Sequence, residues 1–388
     1  MGAQVCIMPV ELGPPPVVRP EPSHPLWRAV ALDLRSLALF RIVLGTALVV
    51  AFPRTVVEAI ALAPALAPLL ALTVVAGAWL ITGWRSRLAA WVATISLGAL
   101  ASDTPSTLLW LAVPVVATFL PLGARASIDH ALDSSRDRAP ARYASLATLA
   151  WCALAAGIGV QLAATAGSTA TSILTLAVVV LSLSPLHTDI ARLVALAVLV
   201  VLCVLTPGVA WVVPFWLPFV PTALWNTLVR AVAARPSRQN VRIVYDGDCG
   251  FCQAGAHIVR VLCAFPLDAV KSANTDADLL ADMTARDSWI LVLPDGSRRY
   301  RFAAVIHLLS ITPWWWPVSM VLRIPPLPWL GDRWYRHIAR NRLAISRRAR
   351  WLVTFRPYTA DALPRSLRWA PLAIALTALF WMAVARLQ

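Results

Sequence analysis

Nine apolar segments follow one another along this chain of 388 residues, and they constrain its fold more than any other feature. Hydrophobic residues make up 59% of the chain and charged residues only 14%, whereas soluble domains are about a quarter charged. The pattern predicts a polytopic α-helical membrane bundle of about eight spans plus a C-terminal helix. Several segments are shorter than the about 20 residues that a spanning helix needs, so some could be re-entrant or buried in the bundle. The segments are Leu37–Phe52, Leu66–Thr82, Leu88–Ala101, Leu108–Leu122, Leu146–Ala164, Ile173–Leu183, Leu193–Leu205, Val209–Val229 and Trp369–Val384.

Arginine alternates between the connections that join these segments. Every second connection contains arginine, whereas those at 102–106, 167–171 and 206–208 contain none. By the positive-inside rule, the protein is a multi-pass protein of the cell's inner (plasma) membrane, with its N-terminus and Cys-x-x-Cys region in the cytosol. A net charge of +15 also suits nucleic acid, but no soluble segment combines a basic face with interleaved aromatics. We therefore expect the lipid bilayer, and no nucleic acid, as a partner.

One arginine, Arg41, lies inside the first apolar segment. A charge there is costly and is usually functional or paired. The other interpretation is that Arg41 extends from the first turns of the helix to the inner leaflet.

A Cys-x-x-Cys pair follows a short β-branched run at Val241, Ile243 and Val244, and an amphipathic helical pattern follows the pair. A strand that leads into a helix beginning on two cysteines is typical of thiol–disulfide chemistry, because the helix dipole stabilises a thiolate. Cys249, at the helix start, is the predicted attacking thiol. Cys252, one turn later, is predicted to resolve the mixed disulfide.

Four residues directly before the pair are predicted to support the site: Tyr245, Asp246, Gly247 and Asp248. Gly247 allows the chain to reverse tightly between strand and helix. A carboxylate near Cys249 opposes its ionisation, yet it could also take the proton when Cys252 is activated. For Asp248, the other interpretation is a helix N-cap.

Zinc binding is the other common use of a Cys-x-x-Cys pair. It needs two further ligands, and the sequence has no second such pair and no closely spaced histidines. His257, on the same predicted helix, is expected to be exposed or packed rather than catalytic. We therefore expect no metal and no cofactor.

The sequence divides into a Pro-rich cytosolic arm at 1–30, the transmembrane bundle at 31–232, a soluble segment at 240–350 and a C-terminal transmembrane helix at 366–388. A βα unit, a hairpin and a closing helix are the skeleton of an α/β thioredoxin-like domain. The soluble segment has this order: strand 241–245, helix 249–265, a short helix 279–283, hairpin strands 289–293 and 298–302 around Pro294-Asp295-Gly296, and helix 303–309.

Tryptophan and arginine are concentrated after this skeleton, between residues 314 and 351. Aromatic residues beside arginine suit the headgroup level of a membrane, so this part could lie on the inner leaflet. Ordinary packing of the last helices of the domain would explain the same composition.

Four spaced motifs occur in order in the soluble segment: Tyr245-Asp246-Gly247-Asp248-Cys249-Gly250-x-Cys252, Leu291-x-x-Pro294-Asp295-Gly296, Ala303-Ala304-Val305 and Trp334-Tyr335-x-x-Ile338-Ala339-Arg340-Asn341-Arg342. With these motifs, the segment from Ile243 to about Ser346 resembles the DCC family of predicted thiol–disulfide oxidoreductases. The sequence departs from working thioredoxins just before the hairpin, because Arg286-Asp287-Ser288-Trp289 lacks their cis-proline. Reaction with unfolded protein substrates is therefore not expected to follow the thioredoxin pattern.

The bundle contains two further motifs, Ser36-Leu37-Ala38-Leu39-Phe40-Arg41-Ile42-x-x-Gly45 and Phe119-Leu120-Pro121-Leu122-Gly123-Ala124-Arg125-x-Ser127-x-Asp129. With them it is similar to the HTTM domain, the membrane region related to vitamin K-dependent γ-carboxylase. The carboxylase relatives use a membrane-region lysine as base, whereas the only lysine here is Lys271 in the soluble segment. The resemblance therefore implies a shared helical scaffold without carboxylation.

The function that the sequence favours is thiol–disulfide exchange at Cys249 and Cys252, with reducing equivalents from cytosolic thiols or a protein dithiol. Two alternatives remain open. The bundle could bind a lipophilic molecule such as a quinone or a lipid, with the Cys-x-x-Cys domain as its redox partner. The chain could also be a non-enzymatic membrane assembly factor.

Overall fold

The structure is a computed structural model that describes residues 24–62, 67–100, 113–206, 212–342 and 344–345. It is mostly helical, with a small sheet in the C-terminal part. The Pro-rich arm up to residue 23, the first part of the predicted fourth segment and the C-terminal helix predicted at 366–388 lie outside the described residues.

The N-terminal part is a bundle of helices whose sequences are apolar on nearly every side, as expected of helices buried against one another or against lipid. Small residues allow close packing, since a Cβ at Gly45 would lie 2.6 Å from the carbonyl oxygen of Gly77. Trp151 is fully buried between Phe40 and Phe215. A helical segment also occupies 113–119. The other helices are α1 Pro25–Val30, α2 Leu34–Leu62, α3 Ala67–Thr82, α4 Ser86–Leu100, α5 Ile128–Ala131, α6 Leu146–Thr165, α7 Thr169–Ser182, α8 Thr188–Leu205, α9 Val213–Trp216 and α10 Thr222–Ala233.

Two of the described helices, α6 and α8, are long and apolar enough to cross a membrane. Within its described residues, the predicted segment Val209–Val229 is not one continuous helix. Val220 and Pro221, between α9 and α10, are not helical. Pro214, Pro218 and Pro221 explain this break, because proline removes a backbone donor and clashes with the preceding turn.

Arginine-containing connections meet at one end of the bundle. Strand β1 (Leu32–Asp33), ahead of α2, pairs antiparallel with β2 (Arg142–Tyr143), ahead of α6. Arg142 also forms an ion pair with Asp189 in the first turn of α8. Arg192, which is buried, donates to the backbone carbonyls of Ala29 in the last turn of α1 and of Ala31 just after it. The connections before α2, α6 and α8 are thereby held together.

Arg41 belongs to the same end of the bundle. Its guanidinium is fully buried and donates to the carbonyl oxygens of Leu122 and Ala126, the second at 2.6 Å. Arg41 is therefore paired with backbone carbonyl oxygens inside the bundle. Asp129 joins the α3–α4 connection to this end by accepting from the backbone N–H of Ser86 at 2.9 Å.

The C-terminal part is a four-stranded sheet with helices on both faces. The strands lie in the order β4-β3-β5-β6; β4 runs parallel to β3, and β5 and β6 form an antiparallel hairpin beside it. The hairpin and the helices after β3 and β6 confirm the predicted elements, whereas β4 was not predicted. The elements are β3 Arg242–Tyr245, α11 Gly250–Leu262, β4 Val270–Ser272, α12 Ala277–Arg286, β5 Ile290–Val292, β6 Arg298–Tyr300, α13 Arg301–Ser310, α14 Trp316–Leu322 and α15 Leu327–Arg340.

Alternation along β3 divides the core of this domain into two layers, because successive side chains of a strand point to opposite faces. Ile243 packs with α11 and α13, and Val244 packs with α12. Arg238, just before the predicted boundary at residue 240, is buried in this domain. It donates to the carbonyl oxygens of Cys263 and Ala264, so it packs against the end of α11.

Candidate functional site

The dithiol lies where β3 ends and α11 begins. A tight turn joins them, in which the Cys249 N–H donates to the Asp246 carbonyl oxygen at 3.1 Å. Gly247 is required by close packing, since a Cβ there would lie 2.3 Å from Ser272 Oγ in β4. Gly247 does not have a positive φ, so the chain reversal does not use the conformational freedom predicted for it; the unpredicted strand β4 gives a steric reason instead.

Cys249 caps α11 with its own sulfur. The backbone N–H of Cys252 donates to Cys249 Sγ at 3.3 Å, and Cys249 is the N-cap residue. The N-cap predicted for Asp248 is therefore wrong. Asp248 instead accepts from Asn274 Nδ2 at 3.1 Å, which ties the turn to the segment after β4.

This position makes Cys249 acidic. A hydrogen bond from the Cys252 thiol, together with the Cys252 N–H, lowers the pKa of Cys249 to about 6, although burial opposes the shift. The same thiol–thiolate hydrogen bond, followed by burial, raises the pKa of Cys252. Neither cysteine is in a disulfide. The pair is thus a dithiol that holds one thiolate, on the sulfur at the helix N-terminus.

The two thiols also differ in exposure. Cys249 is only 6% exposed, whereas Cys252 is half-buried. The predicted attacking thiol is therefore the more acidic and the less accessible of the two in the reduced form.

An ion pair lies beside the dithiol. Asp246 accepts from the backbone N–H of Asp248 and pairs with Arg342 at 3.1 Å. The charges act in opposite directions on the pKa of Cys249, which Asp246 raises and Arg342 lowers. Arg342 was not predicted as a site residue, although it is the last residue of the fourth sequence motif.

Two tyrosines border the site. Tyr245, predicted to support it, places its ring beside His257 of α11, with ring centres 6.4 Å apart. Tyr335 of α15 accepts a hydrogen bond from the backbone N–H of Trp289 at 3.1 Å. Burial raises the pKa of Tyr335, and Cys252 raises it further. Sequence reasoning missed Tyr335, whose contact with the segment before β5 is long-range.

His257 lies on the far part of α11, toward the bundle. It is buried, and burial lowers its pKa to about 4, so it is packed as predicted and uncharged at neutral pH. No group of three or more His, Cys, Asp or Glu within the described part of the chain is arranged to hold a metal ion.

Comparison with known proteins gives one match. Residues 243–348 match the family described as DCC1-like thiol-disulfide oxidoreductase. No curated protein and no solved structure matched the chain. The matched residues contain the dithiol, the ion pair of Asp246 with Arg342, and both tyrosines. Residues 243–348 of this chain are therefore similar to the DCC1-like thiol–disulfide oxidoreductase family.

Proposed function

We propose that this protein is a membrane-anchored enzyme that exchanges thiols and disulfides through Cys249 and Cys252. The observation that carries the proposal is the hydrogen bond from the Cys252 N–H to Cys249 Sγ at the start of α11. With a pKa of about 6, Cys249 is mostly thiolate at cytosolic pH, and the thiolate is the nucleophile in disulfide exchange.

The reaction proceeds in two exchanges. Cys249 attacks one sulfur of a partner disulfide; a Cys249–partner bond forms, the partner's S–S bond breaks, and the leaving thiolate takes a proton. Cys252 then loses its proton and attacks Cys249 Sγ, which forms the Cys249–Cys252 disulfide and releases the second partner thiolate. Two electrons have passed from the dithiol to the partner, and cytosolic thiols or a protein dithiol restore the reduced pair.

Asp246 is the proposed acceptor of the Cys252 proton. Its charge acts on both thiols, and its pairing with Arg342 keeps it beside them. Once Cys249 has become part of a mixed disulfide, the thiolate that held the Cys252 proton by a hydrogen bond is gone. The proton is then easier to remove, so the second exchange begins only after the first has occurred.

The fold of the domain is proposed to be thioredoxin-like. The order β4-β3-β5-β6, with the dithiol directly after the central strand β3, supports this assignment. Thioredoxins have their cis-proline in the segment before β5. Here the Trp289 N–H of that segment already donates a hydrogen bond to the Tyr335 hydroxyl. Because this N–H is not available to a partner's backbone, we infer a partner that does not pair with β5 as an extended peptide strand.

Membrane anchoring is proposed from the bundle, with the HTTM-like scaffold as its model and the N-terminus in the cytosol. Helices α6 and α8 are long and apolar, yet only 33% and 22% of their apolar windows are buried. Side chains such as Val200 and Val204, 63% and 73% exposed, face outward, as lipid-facing residues do. The gathering of arginine-containing connections at one end supports a cytosolic end next to the redox domain.

A disulfide-exchange assay on the full chain in nanodiscs tests the enzymatic proposal. Wild-type protein should reduce a model disulfide, and C249S should abolish the reaction. C252S should instead accumulate a mixed disulfide with the partner at Cys249, detectable by mass spectrometry. Undiminished exchange by C249S would refute the assignment, and exchange by neither variant nor wild type would favour the assembly-factor alternative.

Topology is tested separately with reporters fused after Arg238 and near Thr206. The two positions should give opposite outcomes, cytosolic for Arg238 and external for Thr206. Matching outcomes would contradict the proposed orientation.

A further inference from the structure

Helices α14 and α15 present an exposed aromatic face. On α15 the face consists of Trp329, Leu330 and Trp334, and α14 adds Trp316 and Val321. The two α15 tryptophans are 60% and 62% exposed, and no residue of α15 is buried. Soluble proteins rarely leave a contiguous apolar surface of this kind uncovered, so it indicates an interaction site.

Arginine surrounds the aromatic face. Arg333 lies over the Trp329 ring at 5.7 Å from its centroid, and Arg336 and Arg340 continue along the same side of the helix. Asp332, paired with Arg336, is the only acidic residue of α15. Tryptophan rings and arginines side by side match the headgroup layer of a bilayer, where the rings take the interface and the guanidinium groups bind lipid phosphates.

The opposite side of α15 fixes the helix to the redox domain. Gly331 lies against the ring of Phe302, where a Cβ would be 2.1 Å from the nearest ring atom. The Tyr335 hydroxyl accepts a hydrogen bond from the Trp289 N–H, and Arg342, just beyond the helix, forms an ion pair with Asp246. The aromatic face therefore points away from the domain and does not take part in its packing.

We propose that α14 and α15 lie in the headgroup layer of the anionic membrane in which the bundle is inserted. The proposal rests on the membrane anchoring proposed above, which supplies the bilayer. Arg260 of α11 is held by Asp137 of the bundle, so the domain stays near the membrane at a high effective lipid concentration. The dithiol, on the other side of α15, then lies about one helix diameter, roughly 10 Å, from the headgroups.

Photo-crosslinking on the full chain tests the lipid contact. Benzoylphenylalanine is placed at Trp329 or at Trp334, and as a matched control at Leu280 of α12, which is 40% exposed on another element. The protein is reconstituted in nanodiscs of phosphatidylcholine and phosphatidylglycerol. Lipid adducts at both tryptophan positions should exceed those at Leu280 severalfold, and their yield should fall in nanodiscs of phosphatidylcholine alone.

A fourth position separates this inference from the anchoring on which it rests. Val200 of α8 should give lipid adducts if the bundle is inserted, whatever the position of α15. Adducts at Val200 together with background yield at Trp329 and Trp334 would overturn the lipid face alone. The lipid face would also be overturned if the probes at Trp329 and Trp334 crosslinked to residues 346–388 or to a second copy of the protein. Background yield at Val200 would refute the anchoring itself.

Discussion

Cys249 and Cys252 are three residues apart, but their positions on α11 give them different chemistry. The N-cap position points the first amides of the helix at Cys249 Sγ, while Cys252 is inside the helix and shares its proton with that sulfur. A sequence with two cysteines at this spacing indicates the kind of reaction. The distribution of charge between the two depends on backbone geometry that only the folded turn supplies.

The first prediction concerns alkylation of the reduced protein at graded pH. Cys249 should react faster than Cys252, with a rate that rises through pH 6 and levels off above it, because its pKa is about 6. Below that pH the sulfur is protonated and the rate falls. Mass spectrometry of the labelled peptides separates the two sites. Faster labelling of Cys252, the more exposed sulfur, would reverse the assignment of the attacking thiol.

The second prediction uses the ion pair beside the dithiol as a matched pair of variants. R342Q should raise the pKa of Cys249, because Asp246 is then left uncompensated. D246N should lower it, because Arg342 is then left uncompensated. The pH profile of Cys249 alkylation measures both shifts.

Shifts of opposite sign are what distinguish an electrostatic role of this pair from a structural one. If both variants moved the profile in the same direction, the pair would act through the shape of the turn. D246N should also slow the second exchange, because the proposed proton acceptor of Cys252 is lost.

Among the elements, local sequence signals predicted the parts that local chemistry determines. The Pro294-Asp295-Gly296 turn specified the hairpin, and the amphipathic pattern after the cysteines specified α11. Strand β4 escaped prediction because its three residues, one of them Lys271, carry no alternating apolar pattern. Its pairing with β3 is long-range and becomes visible only in the fold.

Long-range contacts also explain what was missed in the site. Tyr335 and Arg342 belong to a motif that sequence comparison recognised, but nothing local connected them with the dithiol. Three prolines before α10 indicate that Val209–Val229 is not one continuous helix. The segment was nevertheless predicted as one apolar span because it is hydrophobic along its whole length. Hydropathy indicates whether a segment is buried or in contact with lipid, whereas proline indicates where a helix breaks, so a span prediction needs both.

The third prediction tests how α15 is held. G331A should destabilise the packing of α15 on α13 by about 1–3 kcal/mol, because the added methyl group overlaps the Phe302 ring. G255A is the control, since a Cβ there meets nothing within 4 Å, and alanine in a helix interior stabilises by up to about 1 kcal/mol. Hydrogen exchange of the 327–340 amides should accelerate in G331A only.

Because α15 leads to Arg342, G331A should also raise the pKa of Cys249. Unchanged exchange of α15 in G331A would mean that the ring of Phe302 moves aside at little cost. The hold on α15 would then come from Tyr335 instead.

At the scale of the whole molecule, a buried ion pair joins bundle and redox domain. Asp137, in the connection before α6, accepts two hydrogen bonds from Arg260 of α11, at 3.0 and 2.8 Å. His130 contacts the same carboxylate at 3.0 Å. Arg260 is only 3% exposed, so the Asp137 carboxylate balances a guanidinium charge that is buried away from water. Through α11, the same contact connects the end of the bundle where the arginine-containing connections meet to the helix that carries the dithiol.

The fourth prediction concerns this interface. D137A should loosen the redox domain from the bundle at a cost of about 3–5 kcal/mol, because it leaves the buried charge of Arg260 without its partner. A double variant, D137A with R260M, should recover most of the loss, since an apolar pair in the same place removes that charge. Hydrogen exchange of the C-terminal half of α11 measures the opening, and equal exchange in the two variants would show that the carboxylate matters for some other reason.

Acid gives an independent check on this fourth prediction. Burial alone would raise the pKa of Asp137, but hydrogen bonds from His130 and Arg260 lower this pKa to about 2. A carboxylate whose pKa is lower in the folded than in the unfolded chain stabilises the fold fully above its ordinary pKa, and this stability is lost progressively as the pH falls from that pKa through the folded value. The wild-type interface should therefore stay closed well below pH 4, whereas D137A should be open at neutral pH. Opening of the wild-type interface between pH 5 and 6 would instead point to protonation of His130, and would contradict the assignment of Asp137 as the group that holds it.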